Sequence, residues 1–168
     1  MSAHQGIKLI LMADDDQDDI FLLKQAVASS GLPVEIRPVL NGEELLDYLL
    51  GWSRHQDCRR FPEPSLILLD LNMPRKDGRE ALAAIKAHPF LKKIPVVIYT
   101  TSMDPQDIQW CYETGANDYV TKPSNFPDLV AVVQTMEKYW AEDAKPSTES
   151  RQKKARGKGN EPIPLVPR

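Results

Sequence analysis

Apolar and polar positions along this chain alternate between two periods. Short runs of aliphatic residues bounded by turn signals come first: Ile7 to Ala13, Leu66 to Leu69 and Ile94 to Thr100. Such runs predict strands buried on both faces, as in a parallel sheet. Between them, apolar residues recur at helical spacing. Ile20, Leu23 and Val27 form one such stripe, stopped by Gly31. Pro33 to Leu40 predicts a short second strand, Asn41-Gly42 a turn, and Glu43 to Leu50 a helix. A third helix runs from Arg79 to about Ala87 and is closed by His88-Pro89. Asp104 and Pro105 have the form of an N-cap followed by Pro at the first helical position, and that helix ends at Gly115. Asp118 to Thr121 makes a fifth short strand, closed by Lys122-Pro123. The last helix, about Phe126 to Ala141, carries Leu129, Val132, Val133, Met136 and Trp140 on one face. Strand and helix thus alternate five times. This predicts an α/β fold with a parallel five-stranded sheet and helices on both faces. Gly51 to Pro64 lacks periodicity and is expected to be a long loop whose Trp52 and Phe61 fold back onto the domain.

Composition divides the chain further. Residues 1–6 form a short extension, 7–141 a single domain, and 142–168 a tail of Lys, Ser, Pro, Gly and Arg with the composition of disorder. The terminal Leu165-Val166-Pro167-Arg168 resembles a protease recognition sequence left by cloning. The formal charge of −3 hides an asymmetry. The tail holds seven Lys or Arg against four Asp or Glu, and the remaining fourteen bases and twenty acids leave residues 1–141 at about −6. An acidic body does not suggest nucleic-acid binding, and the tail is too short and polar to fold into a DNA-binding unit. Cys58 and Cys111 stand in unrelated contexts, which fits a reducing compartment. No apolar run approaches a membrane span and no signal-peptide pattern opens the chain, so membrane insertion is not expected and the expected location is cytoplasmic.

Candidate chemistry collects at the strand ends. The first strand runs into Asp14 and Asp15, the third into Asp70, the fourth ends on Thr100 and the fifth leads to Lys122. In a parallel sheet all carboxyl ends share one edge, where ligands bind. Taken alone, Asp70 could equally cap the following helix. The set says more. Three converging carboxylates repel one another unless a cation is present, and hard oxygen ligands suit Mg²⁺. A metal, the Lys122 ammonium and the Thr100 hydroxyl are what a phosphoryl group needs, with Asp70 left as a nucleophile able to carry it as an acyl phosphate. Asp16, Asp18 and Asp19 read as helix-start charges. His55 and Cys58 have no second pair to complete a zinc site.

These residues resemble the receiver domain of two-component response regulators over roughly residues 7–141. The acid pair Asp14-Asp15, the stretch Asp70 to Gly78, Thr100, Tyr119 and Lys122-Pro123 match that family's motifs in order. The long loop before the third strand, Tyr99 to Ser102 and Tyr139-Trp140 look similar to small single-domain regulators paired with phytochromes. The resemblance implies a flavodoxin-like sheet of order 2-1-3-4-5. It further implies that Asp70 accepts a phosphoryl group from a sensor histidine kinase or phosphotransfer protein. Mg²⁺ would be held by Asp15, Asp70 and the Asn72 carbonyl, with Asp14 acting through water. Thr100 and Tyr119 would be the switch pair, and the Lys122–Pro123 peptide would be cis. On this reading the protein is a signalling module rather than an enzyme, with output through protein contacts, a homodimer among them. Two other functions compete. One is a constitutive adaptor that is never phosphorylated. The other is a haloacid-dehalogenase-type phosphohydrolase, which needs a second Asp two residues after its nucleophile, where this chain has Asn72.

Overall fold

In the computed structural model, which describes residues 6–54 and 59–140, the three apolar runs become β1 (Lys8–Ala13), β3 (Leu66–Leu69) and β4 (Val96–Thr100). β3 and β4 are buried at every position, and β1 at every position but its first. Alternate side chains explain why. Leu9, Leu11, Ile67, Leu69, Val96 and Ile98 enter one core layer, while Ile10, Met12, Leu66, Leu68, Val97 and Tyr99 enter the other. Each strand therefore needs apolar residues on both faces, and the alternation of a half-exposed strand is lost. The expectations made for residues 1–5, for the tail 142–168, and for His55 and Cys58 fall outside the described residues.

The sheet is parallel throughout, with strand order β2-β1-β3-β4-β5. β2 (Val34–Val39) and β5 (Asp118–Thr121) lie at the edges and are only partly buried. Pro38 is tolerated in β2 because an edge strand need not donate every backbone N–H. On one face α1 (Gln17–Ser30) and α5 (Phe126–Thr135) bury Ile20, Leu23, Val27, Leu129 and Val133. On the other, α2 (Gly42–Ser53), α3 (Gly78–Ala87) and α4 (Pro105–Thr114) bury Leu45, Leu49, Leu82, Ile85 and Cys111.

All five helices begin on an Asp or Asn whose side chain accepts a backbone N–H of the first turn: Asp16, Asn41, Asp77, Asp104 and Asn125. These caps lie in the loops that leave the carboxyl ends of the strands, so the chemistry that starts the helices also shapes the site edge. Two boundaries differ from the sequence reading. α2 runs through Ser53 rather than stopping near Leu50, and Gly51 stays helical. A Cβ at Gly51 would lie 2.8 Å from the Phe61 ring, so glycine here admits an aromatic contact and does not end the helix. The loop thereby shortens and folds back as expected. Tyr48 donates to the Pro62 carbonyl at 2.7 Å, and its ring meets Phe61 edge-on at 5.4 Å. α5 ends at Thr135 and tightens into a 3-10 turn, Met136–Tyr139, which keeps Met136 buried.

Candidate functional site

Strand register brings the site together. Ala13 pairs with Leu69, so the next residues, Asp14 and Asp70, leave the sheet side by side. The Asp70 N–H donates to the Ala13 carbonyl at 3.0 Å, and the Asp14 N–H to Val39 at 3.0 Å. Thr100 closes β4 opposite Thr121, and the Lys122 N–H donates to the Thr100 carbonyl at 2.8 Å. This fixes the root of the Lys122 side chain beside the carboxylates.

The loop after Asp70 returns tightly over the edge. The Gly78 N–H donates to Leu71 at 3.0 Å, and a Cβ on Gly78 would stand 2.0 Å from the Asp70 carbonyl oxygen. Only glycine fits there. Asp77 caps α3 through Glu80 N–H at 3.0 Å, and Arg75 adopts φ 62°, a left-handed conformation rare for a side-chain-bearing residue. The Asn72 N–H holds Asp70 Oδ1 at 3.2 Å.

At the centre is Lys122. Its Nζ lies 2.8 Å from Asp14 Oδ2, 3.0 Å from Asp70 Oδ2 and 2.6 Å from Asp19 Oδ2. Burial alone would lower the ammonium's pKa. The close contacts with Asp14 and Asp19 and the charge of Asp70 outweigh that and hold it above its ordinary value. Asp14 is only 1% exposed, and burial raises its carboxyl pKa despite the pull of Lys122 and the Asp16 N–H. Its Oδ1 accepts from Asp16 at 2.9 Å. Its buried Oδ2 makes an ion-pair contact with Lys122 but has no hydrogen-bond partner. One oxygen from each of Asp14, Asp15 and Asp70 falls within a 4.8 Å group. A buried carboxylate oxygen with an ion pair but no hydrogen bond, beside two further hard donors, fits a divalent cation such as Mg²⁺.

Thr100 is fully buried, and its Oγ1 is 3.5 Å from the Ser102 N–H. Tyr119 packs against the α3–α4 side of the core, and its hydroxyl donates to the Ser102 carbonyl at 2.8 Å. The expected site residues therefore gather along one edge, with Asn72 contributing its N–H to Asp70. One expectation is overturned: no peptide among the described residues is cis, so the Lys122–Pro123 bond is trans. Lys122 is positioned by its own N–H and by three carboxylates, and the X-Pro bond keeps its intrinsically favoured isomer.

Two features escaped the sequence reading. Asp16 and Asp18 are exposed helix-start residues as expected, but Asp19 turns inward to Lys122. A signal was present: Asp19 lies four residues before Leu23 and seven before Ala26, both buried, on the stripe that α1 presents to the sheet. The other feature is a cross-link of the loop after β4. Ser102 Oγ donates to Asp107 at 2.7 Å, and Arg79 grips the same carboxylate with both oxygens at 2.8 Å. These polar residues sit in three separate elements, and nothing in their spacing pairs them.

Comparison with known proteins agrees with this geometry. The family model described as response regulator receiver domain matches residues 10–134. The chain is 40% identical over 135 residues to the response regulator Rcp1 of Synechocystis sp., spanning 80% of this chain and 90% of that protein. Among solved structures, it is similar to the phosphorylated cyanobacterial phytochrome response regulator RcpA, with TM-score 0.71 and 40% identity over 83% of this chain and 97% of that one. It is also similar to the Mn²⁺-bound form of Rcp1, with TM-score 0.70 and 39% identity over 83% and 98%.

Proposed function

The chain belongs to the response regulator receiver family, and from that premise we propose that it is a phosphoacceptor switch whose acceptor is Asp70. The observation that carries the reading is the single cluster of Asp70, Lys122 and the acid pair: an ammonium 3.0 Å from the acceptor carboxylate, and Asp14, Asp15 and Asp70 oxygens within one 4.8 Å group. The step is an in-line displacement. A carboxylate oxygen of Asp70 forms the new O–P bond while the N–P bond of a donor phosphohistidine breaks and the imidazole leaves. Lys122 neutralises phosphoryl oxygens on one side. The Asn72 N–H holds the other oxygen of Asp70, and the rigid loop enforced by Gly78 orients the carboxylate. A divalent cation, held by Asp14, Asp15, Asp70 and the Asn72 carbonyl, would supply the remaining positive charge.

Thr100 stands buried at the same edge, two residues before Ser102, whose carbonyl holds the Tyr119 hydroxyl. A phosphoryl group drawing on Thr100 would pull on that loop and reset Tyr119. The readout would fall on α4, β5 and α5, where Met103 is 72% exposed and Trp110 and Phe126 are also open. The donor is a sensor histidine kinase or phosphotransfer protein, and the phytochrome named for RcpA supports a light-sensing kinase. Output through protein contacts, a homodimer included, fits a domain with no catalytic requirement beyond its own phosphorylation. Among the described residues no helix is long and apolar enough to cross a membrane, and a cytoplasmic location accords with a kinase partner.

Intact mass after incubation with Mg²⁺ and acetyl phosphate tests this. The expected result is a gain of one phosphoryl group, lost in Asp70→Asn and in chelator. A folded protein that gains nothing would favour the constitutive adaptor. Rapid turnover of unrelated phosphomonoesters would favour a phosphohydrolase.

A further inference from the structure

Lys122 is the only cation shown inside the acidic cluster among the described residues, and an ammonium has three protons to give. Its three carboxylate partners have different fates. Asp14 lies in the group that fits the divalent cation, and a metal there draws on its charge. Asp70 lies in the same group, and once phosphorylated its carboxylate becomes an acyl phosphate whose negative charge sits on the phosphoryl oxygens. Asp19 stands outside that group and outside the chemistry, yet makes the shortest of the three contacts at 2.6 Å. Helix-start electrostatics does not require this geometry. Asp16 already caps α1, accepting from Asp18 and Asp19, and exposed Asp18 supplies negative charge in the same turn. Asp19 is 27% exposed and crosses 103 residues of sequence to reach the lysine.

We propose that Asp19 is a positioning residue for phosphoryl transfer: of the three carboxylates it is the one that holds the Lys122 ammonium in place before, during and after the reaction. This deepens the phosphoacceptor reading and rests on it. Without Asp19, Lys122 keeps the face of the Tyr99 ring at 5.6 Å and, for its hydrogen bonds, only carboxylates that the metal and the phosphoryl group compete for, so the ammonium is held less firmly where phosphoryl oxygens arrive. The cost falls on the transfer step rather than on metal binding, because Asp19 is not one of the three grouped ligands.

The test compares the full chain with Asp19→Asn, Asp19→Glu and Asp18→Asn. Asp18→Asn makes the same charge change in the same helical turn with no contact to Lys122. Two readouts are taken: the maximal rate of phosphoryl uptake from acetyl phosphate at saturating Mg²⁺, by intact mass, and the Mg²⁺ dissociation constant by calorimetry. Asp19→Asn is expected to lower the maximal rate about ten-fold, the scale of a lost charge-assisted hydrogen bond. Its Mg²⁺ affinity should stay within about two-fold of the Asp18→Asn value, against that ten-fold loss. Asp19→Glu, which restores the carboxylate, should recover part of the rate. Thermal melts check the fold, and Asp19→Ser takes the place of Asp19→Asn if the latter loses its cooperative melt. The proposal is overturned if Asp19→Asn matches Asp18→Asn in rate, if its rate and Mg²⁺ affinity fall in proportion, or if Asp19→Glu is no faster than Asp19→Asn. A wild-type chain that takes up no phosphoryl group sinks the phosphoacceptor reading itself, and this proposal with it.

Discussion

Asp107 shows how a single carboxylate joins two helices to the loop that follows Thr100. It accepts from Ser102 at 2.7 Å and from the Nε and Nη2 of Arg79, with 18% of its side chain exposed. The Ser102 hydrogen bond, and then the Arg79 charge, outweigh burial and hold its carboxyl below the usual carboxylate range. A depressed folded-state pKa contributes stability above the unfolded value near 3.8, and that stability is lost as pH falls through the folded value. Asp107→Asn should therefore cost about 1–2 kcal/mol at pH 7, the scale of a charge-assisted bidentate contact. In acid, below the folded-state value, wild type and variant should converge. Urea melts of both proteins from pH 7 down to pH 3 measure this, and a difference that stays constant with pH would count against the ionic contact. At this scale the place of a residue was legible where it follows from the end of its own strand, as with Asp14, Asp15, Asp70, Thr100 and Lys122, which share one edge. It was poorly legible where it depends on a partner far along the chain. Asp19, which pairs with Lys122, reads as a helix-start charge, and Asp107, which pairs with Arg79, carries no local signal of its partner. The Lys122–Pro123 isomer was also beyond local reasoning, since both isomers are accessible to an X-Pro bond and the surroundings select one.

Elements follow the sequence most faithfully where they start. Asp or Asn at every helix start is a local signal, and all five helices obey it. Gly31 and Gly115 close α1 and α4 as the sequence reads, but other ends and turns are set by tertiary contacts. Gly51 reads as a stop but lies inside α2, because the Phe61 ring needs the space a side chain would take. Gly78 stands one residue before Arg79, where the sequence starts the third helix. In the fold it is the first residue of α3, pressed onto the Asp70 backbone. Adding one methyl there places a Cβ 2.0 Å from the Asp70 carbonyl, and backbone on both sides leaves nothing flexible to yield. Gly78→Ala should destabilise the fold by about 2–3 kcal/mol, the scale of an overpacked site. It should also slow phosphoryl uptake, because α3 and the Asp70 loop must separate to accommodate the methyl. Urea melts and uptake rates check both. A variant with wild-type stability and rate would mean that the close approach is not kept in solution.

Across the whole molecule, a sheet buried on both faces leaves its carboxyl edge as the place where charge accumulates. Asp14, Asp19 and Asp70 contact Lys122 there, and Asp15 stands beside Asp14 and Asp70. The same arrangement that stores repulsion makes the fold responsive to a divalent cation, because whatever binds the native edge and not the unfolded chain stabilises the fold by mass action. Mg²⁺ at about a hundred times its dissociation constant should add about 2.7 kcal/mol, or on the order of ten degrees in melting temperature. Asp15→Asn should lose most of that rise, and thermal melts with and without Mg²⁺ decide it; equal rises in both proteins would place the cation elsewhere. The order of strands and the two-layer core were legible from alternating strands and helices together with the resemblance, because a parallel sheet with apolar strands has few other ways to close. The central claim, that Asp70 carries the phosphoryl group, is tested most directly by locating that group on the chain. After incubation with Mg²⁺ and acetyl phosphate, borohydride reduces an acyl phosphate to the alcohol, and peptide mass mapping reads the converted position. Conversion of Asp70 to homoserine, absent without donor, is the expected result. A phosphorylated chain in which Asp70 remains an aspartate and another residue is converted would contradict it.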